Sequence, residues 1–145
     1  MNSIRVETTV TAPPERVWAA LADLASHVEW MADAEAIRFT SDRTAGVGTT
    51  FECDTSVGPL RVTDVMEVTT WEEPTVLAVR HTGAVSGTGR FTLEPAGGGT
   101  RLTWVEELDF PLWMGGSVGG ALGSHVMRRI WNRNLDALRA RVEGG

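Results

Sequence analysis

The chain has 145 residues, 42% of them apolar and 22% charged, which suits one folded domain that needs neither disulfides nor structural metals and argues against intrinsic disorder. A net charge of -6 disfavours nucleic acid as a partner, because binding to phosphates depends on clustered Lys and Arg. There is no Lys and no Tyr, so Schiff-base chemistry on lysine and proton donation by tyrosine are excluded.

In chain order, Ser3 to Val10 alternates Ile4, Val6 and Val10 with polar neighbours and predicts a half-buried strand. Pro13 and Pro14 suit a first helical turn, where a missing N–H costs little. Val17, Trp18, Leu21 and Leu24 then follow on one helical face, so a short helix is expected to about Leu24. The segment from His27 to Met31 is compatible with one further helical turn.

From Ala36 to Phe110 the apolar period changes to two, interrupted by turn residues every ten or so positions, as in a meandering antiparallel sheet. Six strands are expected, at Ala36 to Asp42, Thr49 to Val57, Leu60 to Trp71, Val76 to Thr82, Gly87 to Glu94 and Arg101 to Phe110. The separators contain Gly46 and Gly48, Gly58-Pro59, Glu73-Pro74, Gly83 and Gly97 to Gly99, which favour turns.

The uncharged run from Pro111 to Met127 contains Gly115, Gly116, Gly119, Gly120 and Gly123, too many helix-destabilising residues for a membrane span. It is read as a flexible approach to the final helix, whether lid, portal or contact surface. Val126 to Val142 then places Val126, Ile130, Trp131, Leu135, Leu138 and Val142 on one side and Arg128, Arg129, Arg133, Asp136 and Arg139 on the other. One strand, a short helix, six strands and a long amphipathic helix predict an α+β domain. A curved seven-stranded antiparallel sheet would surround the C-terminal helix, with short helices after the first strand.

The segments A-P-P-E-R-V-W-A-A-L-A-D at Ala12 to Asp23, W-E-E-P at Trp71 to Pro74 and G-G-T-R-L-T-W at Gly98 to Trp104 mark a resemblance covering nearly the whole chain. In them the chain resembles the START-like (SRPBCC) superfamily, particularly its polyketide cyclase/dehydrase and lipid-transport group, which shares the fold of the birch-pollen allergens. The resemblance implies a helix-grip fold over residues 1–145 and an apolar cavity that in different members holds lipids, sterols, hormones or polyketide intermediates. It supplies no fixed catalytic motif to carry over, and the Tyr and Lys of some pockets in the superfamily have no counterpart here.

Strand parity names the walls of such a cavity. Leu102, Trp104, Leu108 and Phe110 share one face of the last strand with Glu106, while Phe91 and Leu93 share a face of the preceding strand with Gly87 and Gly89, whose missing side chains are expected to leave room for a ligand. Parity in Val76 to Thr82 is ambiguous from the residues alone, and the family pattern favours Leu77, Val79 and His81 as inward. Val62, Asp64, Met66 and Val68 are expected inward from the third of the six strands, and Phe51, Cys53 and Val57 from the second. At 100 degrees per residue, Asn134 falls inside the apolar arc of the last helix between Met127, Ile130 and Leu138, where a polar side chain needs a partner.

The candidate ligand contacts are therefore Phe51, Cys53, Met66, Gly89, Phe91, Leu93, Trp104, Leu108, Met127, Ile130, Trp131, Asn134 and Leu138. Glu106, Asp64 and His81 are the candidate acid–base groups, because a buried carboxylate has a raised pKa and histidine relays protons near neutrality. The competing expectation is that each of these sits at the cavity mouth or in a salt bridge with Arg61, Arg80 or Arg101. Trp30, Trp104, Trp113 and Trp131 offer stacking surfaces, against the alternative of plain core packing, while Trp18 and Trp71 are expected to anchor the first helix and a strand end. His27 and His125 are expected at the surface.

No metal site is expected, since the three histidines lie in three elements and Cys53 has no companion. No cofactor is expected either, since there is no P-loop, and hydrolase chemistry is not expected, since there is no nucleophile elbow. The lone cysteine and the absence of a signal-like leader favour a cytoplasmic location. The expected partner is a small hydrophobic molecule, for a monomer or homodimer with no integral membrane segment. The alternatives are a cofactor-independent polyketide cyclase or dehydratase working in the same cavity, and a protein- or membrane-interaction module.

Overall fold

The computed structural model describes residues 1–145, with the side chains of Ser117 and Val118 excepted. β1 (Asn2–Val10) is followed by α1 (Pro14–Ala22) and a 3₁₀ helix at Leu24–Glu29, then by β2 (Ala34–Phe39), β3 (Thr50–Val57), β4 (Leu60–Glu72), β5 (Val76–Thr82), β6 (Ser86–Ala96) and β7 (Gly99–Asp109). A second 3₁₀ turn at Leu112–Met114 leads into the long α2 (Gly116–Gly144). The sheet order is β1-β7-β6-β5-β4-β3-β2, and every neighbouring pair is antiparallel. This is the expected α+β helix-grip arrangement, a seven-stranded meander whose first strand returns to pair with the last.

Three elements differ in their boundaries from the sequence expectation. α1 stops at Ala22 because Asp23 leaves helical geometry, and the chain continues as the 3₁₀ turn. The second strand starts earlier and ends earlier than Ala36 to Asp42. β6 and β7 extend to a tight turn at Gly97-Gly98, where φ of 53° and 84° demands glycine and matches the strand twist.

The glycine-rich run is not a flexible approach: from Gly116 onward it is the first part of α2. A Cβ on Gly119 would overlap the Met114 carbonyl, and one on Gly120 would overlap Asn2 and Phe110. Glycine is therefore what lets the helix lie this close to β1 and to the end of β7. Tertiary packing offsets the poor intrinsic helix propensity, roughly 1 kcal/mol per glycine relative to alanine.

The solid part of the core sits under the C-terminal half of α2. Leu135, Leu138 and Val142 pack with Val17, Trp18 and Leu21 of α1 and with Val10, Leu93 and Leu102 of the sheet. Glu143 accepts from the Thr11 N–H at 2.7 Å, and Arg16 donates to the Val142 carbonyl, so this end of the helix is pinned. No such solid packing fills the other end.

Candidate ligand cavity

A cavity of about 160 Å³ lies between the sheet and α2, partly open to solvent. The paired strands β6 and β7 show how it arises. Leu93 faces Leu102 within the solid core; the next inward pair is Phe91 and Trp104, then Gly89 and Glu106, then Gly87 and Leu108. From the second of these pairs onward the inward side chains line the cavity, apart from Gly87. Met127 and Trp131 supply the helix side, and Phe51, Cys53, Asp64 and Met66 come from β3 and β4. Leu60, Val62, Phe110 and Met114 also line it while remaining partly or largely exposed, which places the mouth at the β3–β4 turn and the segment leading into α2.

Aromatic side chains build the floor. The rings of Trp104 and Trp131 stack at 4.7 Å with a 22° tilt, and Phe91 lies 5.0 Å from Trp104. Such contacts add about 0.5–1.5 kcal/mol each beyond the burial of their area. Trp30 meets both Phe91 and Trp104 edge-on, whereas Trp113 is largely exposed. Trp18 and Trp71 form the expected anchor, edge to face at 5.4 Å.

Polar groups occupy a few places on this apolar surface. Glu106 of β7 reaches across Gly89 of β6 to His81 of β5, whose Nε2 lies 3.1 and 3.3 Å from the two carboxylate oxygens. A Cβ on Gly89 would overlap that carboxylate, so the space left by the missing side chain is taken by Glu106 rather than left empty for a ligand. Gly87 leaves no room either, since a Cβ there would overlap the Glu107 carbonyl.

Burial raises the pKa of Glu106, and His81 only partly offsets this. Burial disfavours the charged His81 ring, but the hydrogen bond and charge of Glu106, with the charge of Asp64, outweigh it and raise the pKa. Asp64 accepts from Thr55 Oγ1 at 2.7 Å, and burial raises its pKa. The Cys53 thiol, pushed up to about 11 by burial, is a poor nucleophile. Arg61, Arg80 and Arg101 pair instead with Glu35, Glu67 and Glu94, so none of them neutralises Asp64 or Glu106.

Asp64, His81, Glu106, Phe51, Cys53, Met66, Gly89, Phe91, Trp104, Leu108, Met127 and Trp131 are thus brought onto one cavity wall. Leu93 and Leu138 are sealed into the solid core, and Ile130 packs beside it without reaching the cavity. Asn134 is 1% exposed and stands behind the wall, where its amide donates to Asp33 at 2.8 Å and accepts from the Ala32 N–H at 3.0 Å.

Two functional candidates escaped the sequence reading. Asp33 lines the cavity and accepts from both Asn134 and Trp131 Nε1, the latter at 3.1 Å. The need of Asn134 for a partner was the one available signal. His27 is buried, not at the surface as expected; it bonds the Leu21 carbonyl at 2.7 Å and lines the cavity. Burial lowers its pKa to about 4 against the opposing Leu21 bond, so it is neutral near pH 7. His125 is exposed as expected.

The family model for polyketide cyclase / dehydrase and lipid transport matches residues 1–143. The chain belongs to this family. Among solved structures, TTHA0849 from Thermus thermophilus is similar at 22% identity with a TM-score of 0.81, covering 99% of this chain and 98% of that one. The Zhui aromatase/cyclase from a Streptomyces species is similar at 18% identity and a TM-score of 0.76, covering 98% and 93%. Ara h 8.0201 is similar at 15% identity and a TM-score of 0.70, covering 99% of both chains. No curated protein matches. At these identities the solved structures speak for the family fold, and the cavity chemistry rests on this chain's own residues. No helix among the described residues is long and apolar enough to cross a membrane.

Proposed function

We propose that this protein binds a small hydrophobic molecule in the cavity between the sheet and α2. The observation that carries the proposal is the unfilled volume of about 160 Å³, walled by stacked aromatic and aliphatic side chains and entered past Leu60, Val62, Phe110 and Met114. An apolar cavity of about 150 Å³ is enough to hold a benzene-sized guest, and ligand sites combine such walls with a few orienting polar groups. Asp64, His81 and Glu106 are those groups. Uptake of the small uncharged dye naphthalene, followed by fluorescence, tests it. Val62→Trp and Met127→Trp, at partly exposed lining positions, are expected to weaken uptake by roughly tenfold while circular dichroism and melting stay near wild type. Unchanged uptake in both folded variants would remove this cavity from consideration.

A second reading, cofactor-independent cyclisation or dehydration of a polyketide-like substrate, is favoured by the acid–base pair. Asp64 is the candidate base for a proton next to a carbonyl, and His81, with Glu106 behind it, is the candidate donor to the carbonyl oxygen. Asn134 is not available for that second role, because Asp33 and Ala32 already engage its amide. Turnover of a short poly-β-ketone thioester that falls about 100-fold in both Asp64→Asn and His81→Gln supports catalysis, and turnover unaffected by either excludes it.

A further inference from the structure

The wall of the cavity carries an unbalanced set of titratable groups. Its titratable groups are Asp33, Asp64, Glu106, His27, His81 and Cys53, and no arginine appears among the described residues that line it. His27 is neutral, being held at a pKa of about 4 by burial. His81 is the single candidate cation on the wall, and Glu106 already engages it. Asp33 is satisfied by the neutral donors Trp131 and Asn134, and Asp64 by the neutral hydroxyl of Thr55. A buried carboxylate without a positive partner is costly, and a cation placed nearby recovers much of that cost.

A second feature is independent of the acidic groups. His81 is only 8% exposed, and its Nδ1 is buried with no hydrogen-bond partner. Such orphaned groups are uncommon in folded proteins, and Asn2 Nδ2, Trp18 Nε1 and Trp30 Nε1 are others in this one. With Nε2 directed at Glu106, Nδ1 of the neutral ring is a lone pair that accepts an N–H. Trp104 and Trp131 line the same space, and an aromatic surface attracts cations as well as apolar matter.

We propose that the cavity selects its ligand by charge, taking a hydrophobic molecule that carries a protonated amine and rejecting the carboxylate or phosphate of the same skeleton. This inference rests on the binding function proposed above. The ammonium sits against Asp64, and the apolar remainder lies on Phe91, Trp104 and Trp131. It supplies Asp64 with the positive partner that the cavity wall lacks. A carboxylate in the same place would meet the carboxylates of Asp64 and Glu106 with no arginine to receive it.

Competition against bound naphthalene near pH 7 tests the proposal with phenylbutylamine, phenylbutanol and phenylbutyrate, which share an apolar part and differ in charge. The amine is expected to displace the dye about tenfold more tightly than the carboxylate, with the alcohol between them. Asp64→Asn, a near-isosteric change at a partly exposed position, is expected to shrink the amine-to-carboxylate ratio about threefold or more. A carboxylate that binds as well as the amine overturns charge selection. So does a ratio unmoved by Asp64→Asn, or a bound dye that none of the three displaces. Absence of dye uptake overturns the cavity as a binding site, and this proposal with it, and is distinguishable from the other results because it precedes any competition.

Discussion

Asn134 in α2 donates its amide to Asp33 at 2.8 Å across 101 residues of sequence, a buried hydrogen bond that ties the helix to the cavity wall. Trp131, one turn earlier, donates to the other oxygen of the same carboxylate. The two bonds hold the chain entering β2 against α2 and fix the position of a carboxylate that faces the cavity.

Removing the Asn134 amide leaves that carboxylate with a single side-chain donor. Asn134→Leu is therefore expected to cost about 1–3 kcal/mol in urea denaturation, despite its better helix propensity. Asn134→Asp is expected to cost more, since it sets a second carboxylate against Asp33. Stability equal to wild type in Asn134→Leu would mean that the bond has no net value.

Buried His27 makes stability depend on pH in a defined direction. Its pKa is about 4 in the folded protein against 6.5 for the free side chain, so below pH 6.5 the unfolded chain binds a proton that the folded one refuses. The stability present above pH 6.5 is lost as pH falls towards 4, by about 2–3 kcal/mol at pH 4.5 from this group alone. His27→Gln keeps an N–H for the Leu21 carbonyl without titrating. The difference in urea stability between pH 7 and pH 4.5 is expected to be smaller in the variant by that amount. Equal differences in the two proteins would contradict a neutral buried His27.

Gly89 is the gap through which Glu106 reaches His81. Gly89→Ala is expected to push the carboxylate aside, lower stability by about 1–3 kcal/mol and lower the His81 pKa, because burial then acts on the ring without its counter-charge. An NMR titration of the imidazole reads the shift directly. A folded variant with an unmoved His81 titration would show that the pair does not depend on this glycine.

Much of the molecule was legible in the sequence because two periods dominate it. Alternation from Ala36 to Phe110 dictated the strands and, in Phe91, Trp104, Met66 and Cys53, the inward face as well. The parity of Val76 to Thr82 was less certain, and there the structure turns Leu77, Val79 and His81 inward. The glycine-rich run was misread because local propensity treats glycine as a helix breaker, whereas Gly119 and Gly120 are required by the close approach of α2 to Met114, Asn2 and Phe110.

By itself the sequence determined the α+β meander, the closing amphipathic helix, and the absence of lysine and tyrosine from any site the fold could form. Those properties follow from side-chain period and composition, which act locally along the chain. Tertiary structure alone decided where the cavity ends: Leu93 and Leu138 share the apolar faces of Phe91 and Trp131, yet α1 packs over that end and fills it. It also decided which polar groups meet. Asp33 with Asn134, and Glu106 with His81 across Gly89, are pairings between distant elements, set by how the sheet curves around the helix and invisible to any short-range pattern.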